Sequence, residues 1–155
     1  MKTIVLNGIS WDTENLEVNG ETHFTYEEAK IEATKLGKRL PTKKEFSKLL
    51  KLPHSWDNLK KGMWFAERGE DLKSEKSLFL PAYGYNIDKR DWLDYFGVYG
   101  NYWSITSNST HYAYYFGFRG IKNRTYINYY YRYGCFSVRC INDSYNEKKK
   151  NNEIN

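Results

Sequence analysis

The sequence has few of the residues that hold metals, staple loops together or cross membranes. It contains two cysteines, three histidines and three prolines in 155 residues. The histidines show no metal-ligand spacing, so we expect no zinc site, no other metal and no cofactor. No apolar run approaches the ~20 residues of a membrane-spanning helix, so we expect no membrane insertion. The apolar run near the start is too short for a secretory signal, which predicts synthesis in the cytoplasm without a signal peptide.

The cysteines also fail to predict a disulfide. Cys135 and Cys140 are five positions apart. On a strand they would face opposite sides, roughly 16 Å from each other, which is too far for a disulfide bond. We therefore expect two free thiols that pack in the core.

Charge of one sign is concentrated only near the end of the chain. The net charge is +5, and Lys148 to Lys150 form the one lysine run in a polar segment. This pattern favours a solvated tail over a nucleic-acid-binding arm, so we expect no nucleic-acid partner. Asp88, Asp91 and Asp94 recur at intervals of three and could offer oxygens to a hard cation, but a solvated charged turn is the simpler interpretation.

What the sequence has in excess is tyrosine. Thirteen of its fifteen tyrosines lie between Tyr83 and Tyr133. From Gly97 to Ile141, aromatic and polar residues alternate as they do in strands, with Gly, Asn and Ser at the turns. Tyrosine gives large and rigid contacts at low entropy cost, while Asn and Ser add adaptable hydrogen bonds. The region therefore predicts a small antiparallel sheet that carries a recognition surface.

Two capping boxes predict two helices in the first third of the chain. They are Thr25-x-x-Glu28 and Thr42-x-x-Glu45, in which the hydroxyl and the carboxylate each satisfy a free amide at the helix start. Short strand patterns precede and follow these helices, so the fold class that we expect is α+β.

Length and pattern predict one domain and a tail. We assign residues 1–145 to a single domain and residues 146–155 to a polar C-terminal tail, because no repeat or linker divides the chain. Among the expected strands are Leu16 to Val18 and Cys135 to Asn142, whereas Pro53 to Gly62 has the composition of a loop.

Three segments, taken together, resemble one known superfamily. Residues 36–42 read LGKRLPT, residues 100–104 and 112–115 read GNYWS and YAYY, and residues 136–141 read FSVRCI. In this order they resemble the formylglycine-generating-enzyme type of C-type-lectin-like domain, including the Fibrobacter succinogenes major paralogous type. The resemblance runs from about Trp11 to Ile141. It implies a C-type-lectin-like fold, with two helices packed on small antiparallel or mixed sheets and long loops that display ligand-binding residues.

The resemblance has two further implications. In a phage and bacterial branch of these proteins, diversity-generating retroelements mutate adenines in the terminal region. Residues 123–133, NRTYINYYYRY, have the composition that such mutation yields. The formylglycine-generating enzymes oxidise a substrate cysteine through a copper-bound cysteine pair. Cys135 and Cys140 instead occupy the terminal FSVRC segment, so we expect no enzymatic activity.

The alternation of the last long strand suggests a ligand-binding set. One parity holds Tyr126, Asn128, Tyr130 and Arg132, and the other holds Ile127, Tyr129 and Tyr131. Because an isoleucine belongs in a core, we expect the first parity to face a ligand and the second to face the core. Packing alone is the alternative for so tyrosine-rich a strand. The complete predicted set comprises Asn101, Asn108, Thr110, Tyr112, Arg124, Tyr126, Asn128, Tyr130 and Arg132.

These observations predict a non-catalytic ligand-binding module, an adhesin or receptor-binding protein displayed on a phage virion or a cell surface. Its partner would be a cell-surface glycan or protein, with aromatic rings stacked on sugars and polar groups bonded to hydroxyls. Two alternatives stay open. One is a structural or decoration protein of a phage particle that assembles with other virion proteins, with oligomerisation through the same face. The other is an oxidase of the formylglycine-generating type.

Overall fold

Four small antiparallel sheets and two short helices make up residues 2–87, 89 and 92–143, which the computed structural model describes. Strands account for 42 % of these residues and helical turns for 16 %, so the chain is mainly β. The predicted α+β class is therefore wrong. The two helices are only ten and eight residues long, and most of the remaining ordered backbone pairs in sheets. The predicted tail, residues 146–155, and the predicted domain limit at residue 145 lie outside the described residues.

Tight turns and longer irregular segments connect the elements. In chain order they are β1 (Thr3–Leu6), β2 (Ile9–Asp12), α1 (Tyr26–Lys35), α2 (Lys43–Leu50), β3 (His54–Asp57), β4 (Gly62–Phe65), β5 (Leu78–Pro81), β6 (Asn86–Ile87), β7 (Tyr99–Ser107), β8 (Tyr112–Arg119), a 3₁₀ turn (Ile121–Asn123), β9 (Arg124–Tyr131) and β10 (Gly134–Cys135). The sheets are β1–β2, β3–β4–β5, β7–β8–β9 and β6–β10. Neither α1 nor α2 is long and apolar enough to cross a membrane.

Local signals explain the first hairpin and both helix starts. Asn7 and Gly8 both have positive φ angles, 51° and 75°, as a tight two-residue hairpin turn between β1 and β2 requires. At both helix starts the predicted reciprocal bonds are present: the threonine hydroxyl accepts from the N3 amide, and the N3 glutamate accepts from the threonine amide. The two capping-box predictions are confirmed.

The sheet β7–β8–β9 separates two hydrophobic clusters. In β8, Phe116 and Phe118 point to the first cluster, whereas Ala113 and Tyr115 point to the second. The first cluster is closed by α2, whose Phe46 ring stacks on Phe116 with centroids 4.9 Å apart. The second is closed largely by α1. The sheet is therefore covered by apolar packing on both sides along much of its length.

The segment after β10 differs from its prediction. We expected a strand from Cys135 to Asn142, but only Gly134 and Cys135 pair as a strand, with β6. Residues 136–141 are all buried, and their hydrogen bonds go to several separate parts of the chain. Because a buried amide needs a partner but not the same partner strand throughout, this segment is extended without belonging to one sheet.

Two other predicted segments also differ. The expected strand at Leu16 to Val18 is reduced to an isolated pairing of Val18 with Glu21 across a tight turn. The expected loop after Pro53 contains strand β3, which pairs along its whole length with β4. Turn residues such as Asn58 misled the prediction, because they form the β3–β4 turn rather than a long loop.

Arg39 ties the start of α2 to the end of the described chain. Its Nη1 and Nη2 donate to the two carboxylate oxygens of Glu45, at 2.7 and 2.9 Å. Its Nε donates to Asp143 Oδ2 at 2.7 Å. Burial by itself raises the pKa of Glu45, but the bonds from Arg39 and from the Thr42 amide outweigh it and hold that pKa below its ordinary value of 4.5.

The arrangement predicts a pH-dependent contribution to stability. A carboxylate with a lowered pKa in the folded state stabilises the fold above its ordinary pKa, and this contribution is lost as the pH falls through the lowered value. We expect Glu45→Gln, which keeps an acceptor for the cap, to reduce the free energy of unfolding by about 2 kcal/mol at pH 7. The difference from wild type should shrink below about pH 4, measured by urea denaturation across pH.

The control is Glu28→Gln, the same position of the capping box in α1. Glu28 pairs with the largely solvated Lys89, so we expect a loss below about 1 kcal/mol. Equal losses for the two variants would show that Arg39 adds nothing beyond an exposed ion pair.

Candidate functional site

Five tyrosines, three of them exposed and two half-buried, form a continuous surface at one end of the β7–β8–β9 sheet. We call it the tyrosine face: Tyr112 and Tyr114 from β8, Tyr129 and Tyr131 from β9, and Tyr133 from the following turn. Tyr114 is paired with Tyr129, and Tyr112 with Tyr131. Since alternate residues share one side of a strand, these four side chains lie on the same side as Phe116 and Ile127.

The tyrosine face exists because the strands extend beyond the helix that covers them. Phe46 of α2 covers Phe116, and Ile127, its partner in β9, packs against the same cluster. Two register pairs farther along, the helix meets the sheet through Lys43, which lies over the Tyr114 ring, and it leaves the rings of β9 open to solvent. Tyr129 is 50 % exposed, Tyr131 41 % and Tyr133 47 %.

The five rings hold one another in fixed positions. Tyr112 contacts Tyr131 with centroids 4.5 Å apart, and Tyr131 stacks on Tyr133 at 5.1 Å. Tyr129 meets Tyr112 and Tyr114 edge to face, at 5.6 and 6.1 Å. Contacts of this kind add about 0.5–1.5 kcal/mol beyond area burial, so the surface is ordered before any ligand arrives.

Polar groups border the rings. The Lys43 ammonium at the start of α2 lies 4.0 Å from the centroid of the Tyr114 ring. The Tyr114 hydroxyl donates to Asn108 Oδ1 at 3.3 Å. The pKa of the Tyr112 phenol is raised, first by the neighbouring Tyr131 phenol and then by burial, so this phenol remains a neutral donor at neutral pH. The face therefore offers flat rings with hydroxyl, amide and ammonium groups at hand.

The structure does not divide β9 by parity in the predicted way, although Ile127 packs against the first cluster as expected. Tyr126 and Tyr130, expected to face a ligand, are half-buried against the second cluster. Tyr130 contacts Phe136 at 5.5 Å, and Tyr126 lies across Gly117, where an added Cβ would be 2.6 Å from its ring. Because both sides of this sheet are packed near its centre, parity does not separate core from surface here. Exposure is set by distance along the strand.

The arginines and Asn128 of the predicted set have other surroundings. Arg132 donates to Glu27 at 3.1 Å, and its Nη2 donates at 2.6 Å to Ser107 Oγ and to the Ser109 carbonyl. It therefore joins α1 to the β7–β8 turn. Arg124 is exposed above the Tyr126 ring, and Asn128 is exposed on the side of the sheet opposite the tyrosine face.

The remaining predicted residues divide between core and rim. Asn101 is buried, and its Oδ1 has no hydrogen-bond partner among the described residues. Asn108 and Thr110 are exposed in the β7–β8 turn, where Asn108 contacts the tyrosine face. Tyr112 belongs to that face. The structure thus brings together Tyr112 and Asn108 from the predicted set, and it places Arg124, Tyr126, Asn128 and Tyr130 on the other side of the sheet.

Sequence reasoning missed Tyr114, Tyr129, Tyr131 and Tyr133 as surface residues. A signal was present: the parity of β9 that contains Ile127 continues only as tyrosine, a residue that tolerates partial exposure better than isoleucine does. Lys43 was also missed. Its position over Tyr114 depends on where α2 docks, which no local pattern shows.

Candidate reactive groups lie in unfavourable surroundings. Both cysteines are buried and not joined in a disulfide, and burial raises the pKa of the Cys140 thiol to about 12. Among residues 2–87, 89 and 92–143 no three His, Cys, Asp or Glu side chains converge as a metal site would require. Asp88 and Asp91, two of the three aspartates considered for a cation, lie outside the described residues.

No protein-family model, no curated protein and no solved structure matches this chain. The resemblance to formylglycine-generating-enzyme-type domains therefore stays a prediction, and the argument for function depends on the geometry of the surface itself.

The contacts of Arg132 predict a structural role. We expect Arg132→Ala to lower the free energy of unfolding by about 1–3 kcal/mol, because the Ser109 carbonyl and Glu27 lose a charged donor. The loss should appear in urea denaturation and as faster proteolysis of the turn at residues 108–111. The control, Arg124→Ala, removes an equally large but exposed side chain and should change stability by less than about 0.5 kcal/mol. Equal effects would contradict the role assigned to Arg132.

Proposed function

We propose that this chain is a non-catalytic binding module that holds a glycan on the tyrosine face. The observation that carries the proposal is the set of five adjacent tyrosines, three of them about half exposed, beyond the edge of the core. Display on a phage virion or a cell surface belongs to the same proposal and rests on the sequence alone.

The shape of the surface favours an extended ligand. The rings line the open end of a sheet, on two paired strands and the turn that follows them. An open row of this kind leaves room for several sugar units in succession, whereas a small free metabolite is usually enclosed in a concave site. The strand backbone and the ring contacts restrict the rotamers, so less conformational entropy is lost when a ligand binds.

The chemistry of the surface favours a sugar over a protein partner. Each of the five rings carries a hydroxyl group, and none of the five positions is aliphatic. An apolar ring face packs against the C–H groups of a sugar, while the phenols, Asn108 and Lys43 bond to its hydroxyls. The fully buried centre of a protein interface is usually more apolar and contains Phe, Trp or Met in addition to Tyr. Assembly with a protein neighbour is therefore the second candidate.

The titratable groups favour binding over catalysis. A thiolate is needed for cysteine-based oxidation, and a buried thiol with a pKa near 12 forms very little thiolate at neutral pH. The polar groups that border the tyrosine face are the Asn108 amide and the Lys43 ammonium, neither of which is a general base at neutral pH.

The proposal predicts that two exposed rings carry much of the affinity. We expect Tyr129→Ser with Tyr131→Ser to weaken binding at least tenfold, which corresponds to about 1.4 kcal/mol. The measurement is biosensor binding to a panel of purified bacterial capsular and cell-wall polysaccharides. Circular dichroism should show an unchanged fold, because both side chains lie outside the core.

The matched control removes another exposed aromatic pair. Tyr95 and Phe96 lie next to each other before β7 and are 52 % and 59 % exposed, and their ring contacts include no member of the tyrosine face. Their double serine variant should bind like wild type. Equal losses of binding in the two double variants would indicate non-specific adhesion. If the wild type binds no polysaccharide and self-associates in sedimentation, the assembly function is favoured instead.

A further inference from the structure

A cavity of about 410 Å³ shares no lining residue with the tyrosine face. Phe79, Pro81 and Tyr83 form an apolar wall, and Asn15 and Arg139 lie at its polar end. Its volume is within the range of about 300–1,000 Å³ that is usual for small-molecule sites. The residues come from the segment after β2, from β5 and from the buried C-terminal segment.

Arg139 is the unusual member of this lining. It is 1 % exposed, yet it forms no ion pair with any described residue. Its Nε donates to Asn15 Oδ1 at 2.9 Å, and its Nη1 donates to the Asp12 carbonyl at 3.1 Å. Nη2 forms no hydrogen bond with any described residue. It is also not fully enclosed by protein atoms, so it borders the cavity.

The nearest buried carboxylate does not neutralise this charge. Asp12 is engaged by the Lys38 ammonium at 2.8 Å and by the Asn142 amide at 2.9 Å. The Asp12 carboxylate therefore acts on Arg139 only at longer range, as does the carboxylate of Glu14 at the cavity mouth. Burial lowers the pKa of the Arg139 guanidinium, but the ordinary value is so high that the group stays charged at neutral pH.

A buried charge without a directly bonded counterion is costly, and a bound carboxylate would supply one. We propose that this cavity binds a small molecule through its carboxylate, which bonds to the Arg139 guanidinium while a flat side of the ligand lies against Phe79 and Tyr83. The site is independent of the glycan-binding function proposed for the tyrosine face.

The charges at the cavity mouth favour a ligand with a single negative charge. Lys60 is balanced there by Glu14 and Glu17, which are exposed. A multiply charged anion would meet these two carboxylates on entry, whereas a monocarboxylate needs only the one cation at the inner end. An acidic monosaccharide and an aromatic acid both have a carboxylate beside a ring of suitable size.

The first test titrates the wild-type protein with D-glucuronate, benzoate and glucose, followed by nuclear magnetic resonance of the Arg139 Nε–H and the Asn15 side-chain amide. We expect at least one of the two carboxylates to shift both signals saturably, with half-saturation below about 10 mM. Glucose, the uncharged match of glucuronate, should leave them unchanged. The proposal is overturned if neither carboxylate shifts the signals, or if glucose shifts them as much as glucuronate does.

The second test supplies the missing counterion within the protein. Asn15→Asp is nearly isosteric and puts a carboxylate oxygen about where Oδ1 now accepts from Arg139 Nε. We expect the variant to keep its fold and to bind the effective carboxylate at least tenfold more weakly. Glu17→Gln, at the cavity mouth, is the control and should bind as tightly as wild type or more so. Undiminished binding by a folded Asn15→Asp protein would exclude Arg139 as the anion partner.

Discussion

Buried backbone amides need hydrogen-bond partners, and in this fold the buried C-terminal segment finds them in several distant parts of the chain. Residues 134–141 are all buried. Phe136 exchanges bonds with Phe24, Ser137 donates to the Asn101 carbonyl, and Ile141 exchanges bonds with Arg39. The start of α1, the central sheet and the approach to α2 are thereby held by one stretch of chain. Because a lost buried hydrogen bond costs about 1–3 kcal/mol, each of these regions depends on the others.

The central sheet forms part of the core and also carries the tyrosine face. Its inner part is covered on both sides by aromatic side chains, with Phe116 on one side and Tyr115 on the other. Its outer part continues past α2 with the same strand pairing and the same alternation. The rings that would have been core are therefore exposed, and they retain the backbone rigidity of a sheet. Binding surface and core are successive stretches of the same two strands.

The features that could be predicted from the sequence are those that neighbouring residues determine. The Asn7-Gly8 hairpin and the two capping boxes were found because their hydrogen bonds close within a few residues. The class of the fold, the partners of residues 136–141 and the exposed side of β9 depend on contacts between distant segments. Ile127 indicated the core side correctly at its own position, but no local pattern shows where α2 stops covering the strands. The bonds of Arg139 to an amide and a carbonyl oxygen rather than to a carboxylate likewise appear only when Asp12 and Asn15 are in place.

The placement of the tyrosines beyond the helix has a consequence for sequence change. A ring such as Tyr129 contributes to the surface and contacts its neighbours, yet it fills no space in either cluster. A substitution two residues earlier, at Ile127, alters packing against the first cluster. The tolerance to substitution therefore differs between two positions of one strand that are about 7 Å apart. Substitutions at the outer positions can change what the surface binds, while the inner positions maintain the stability of the fold. Binding specificity and stability therefore depend on different residues of the same strand.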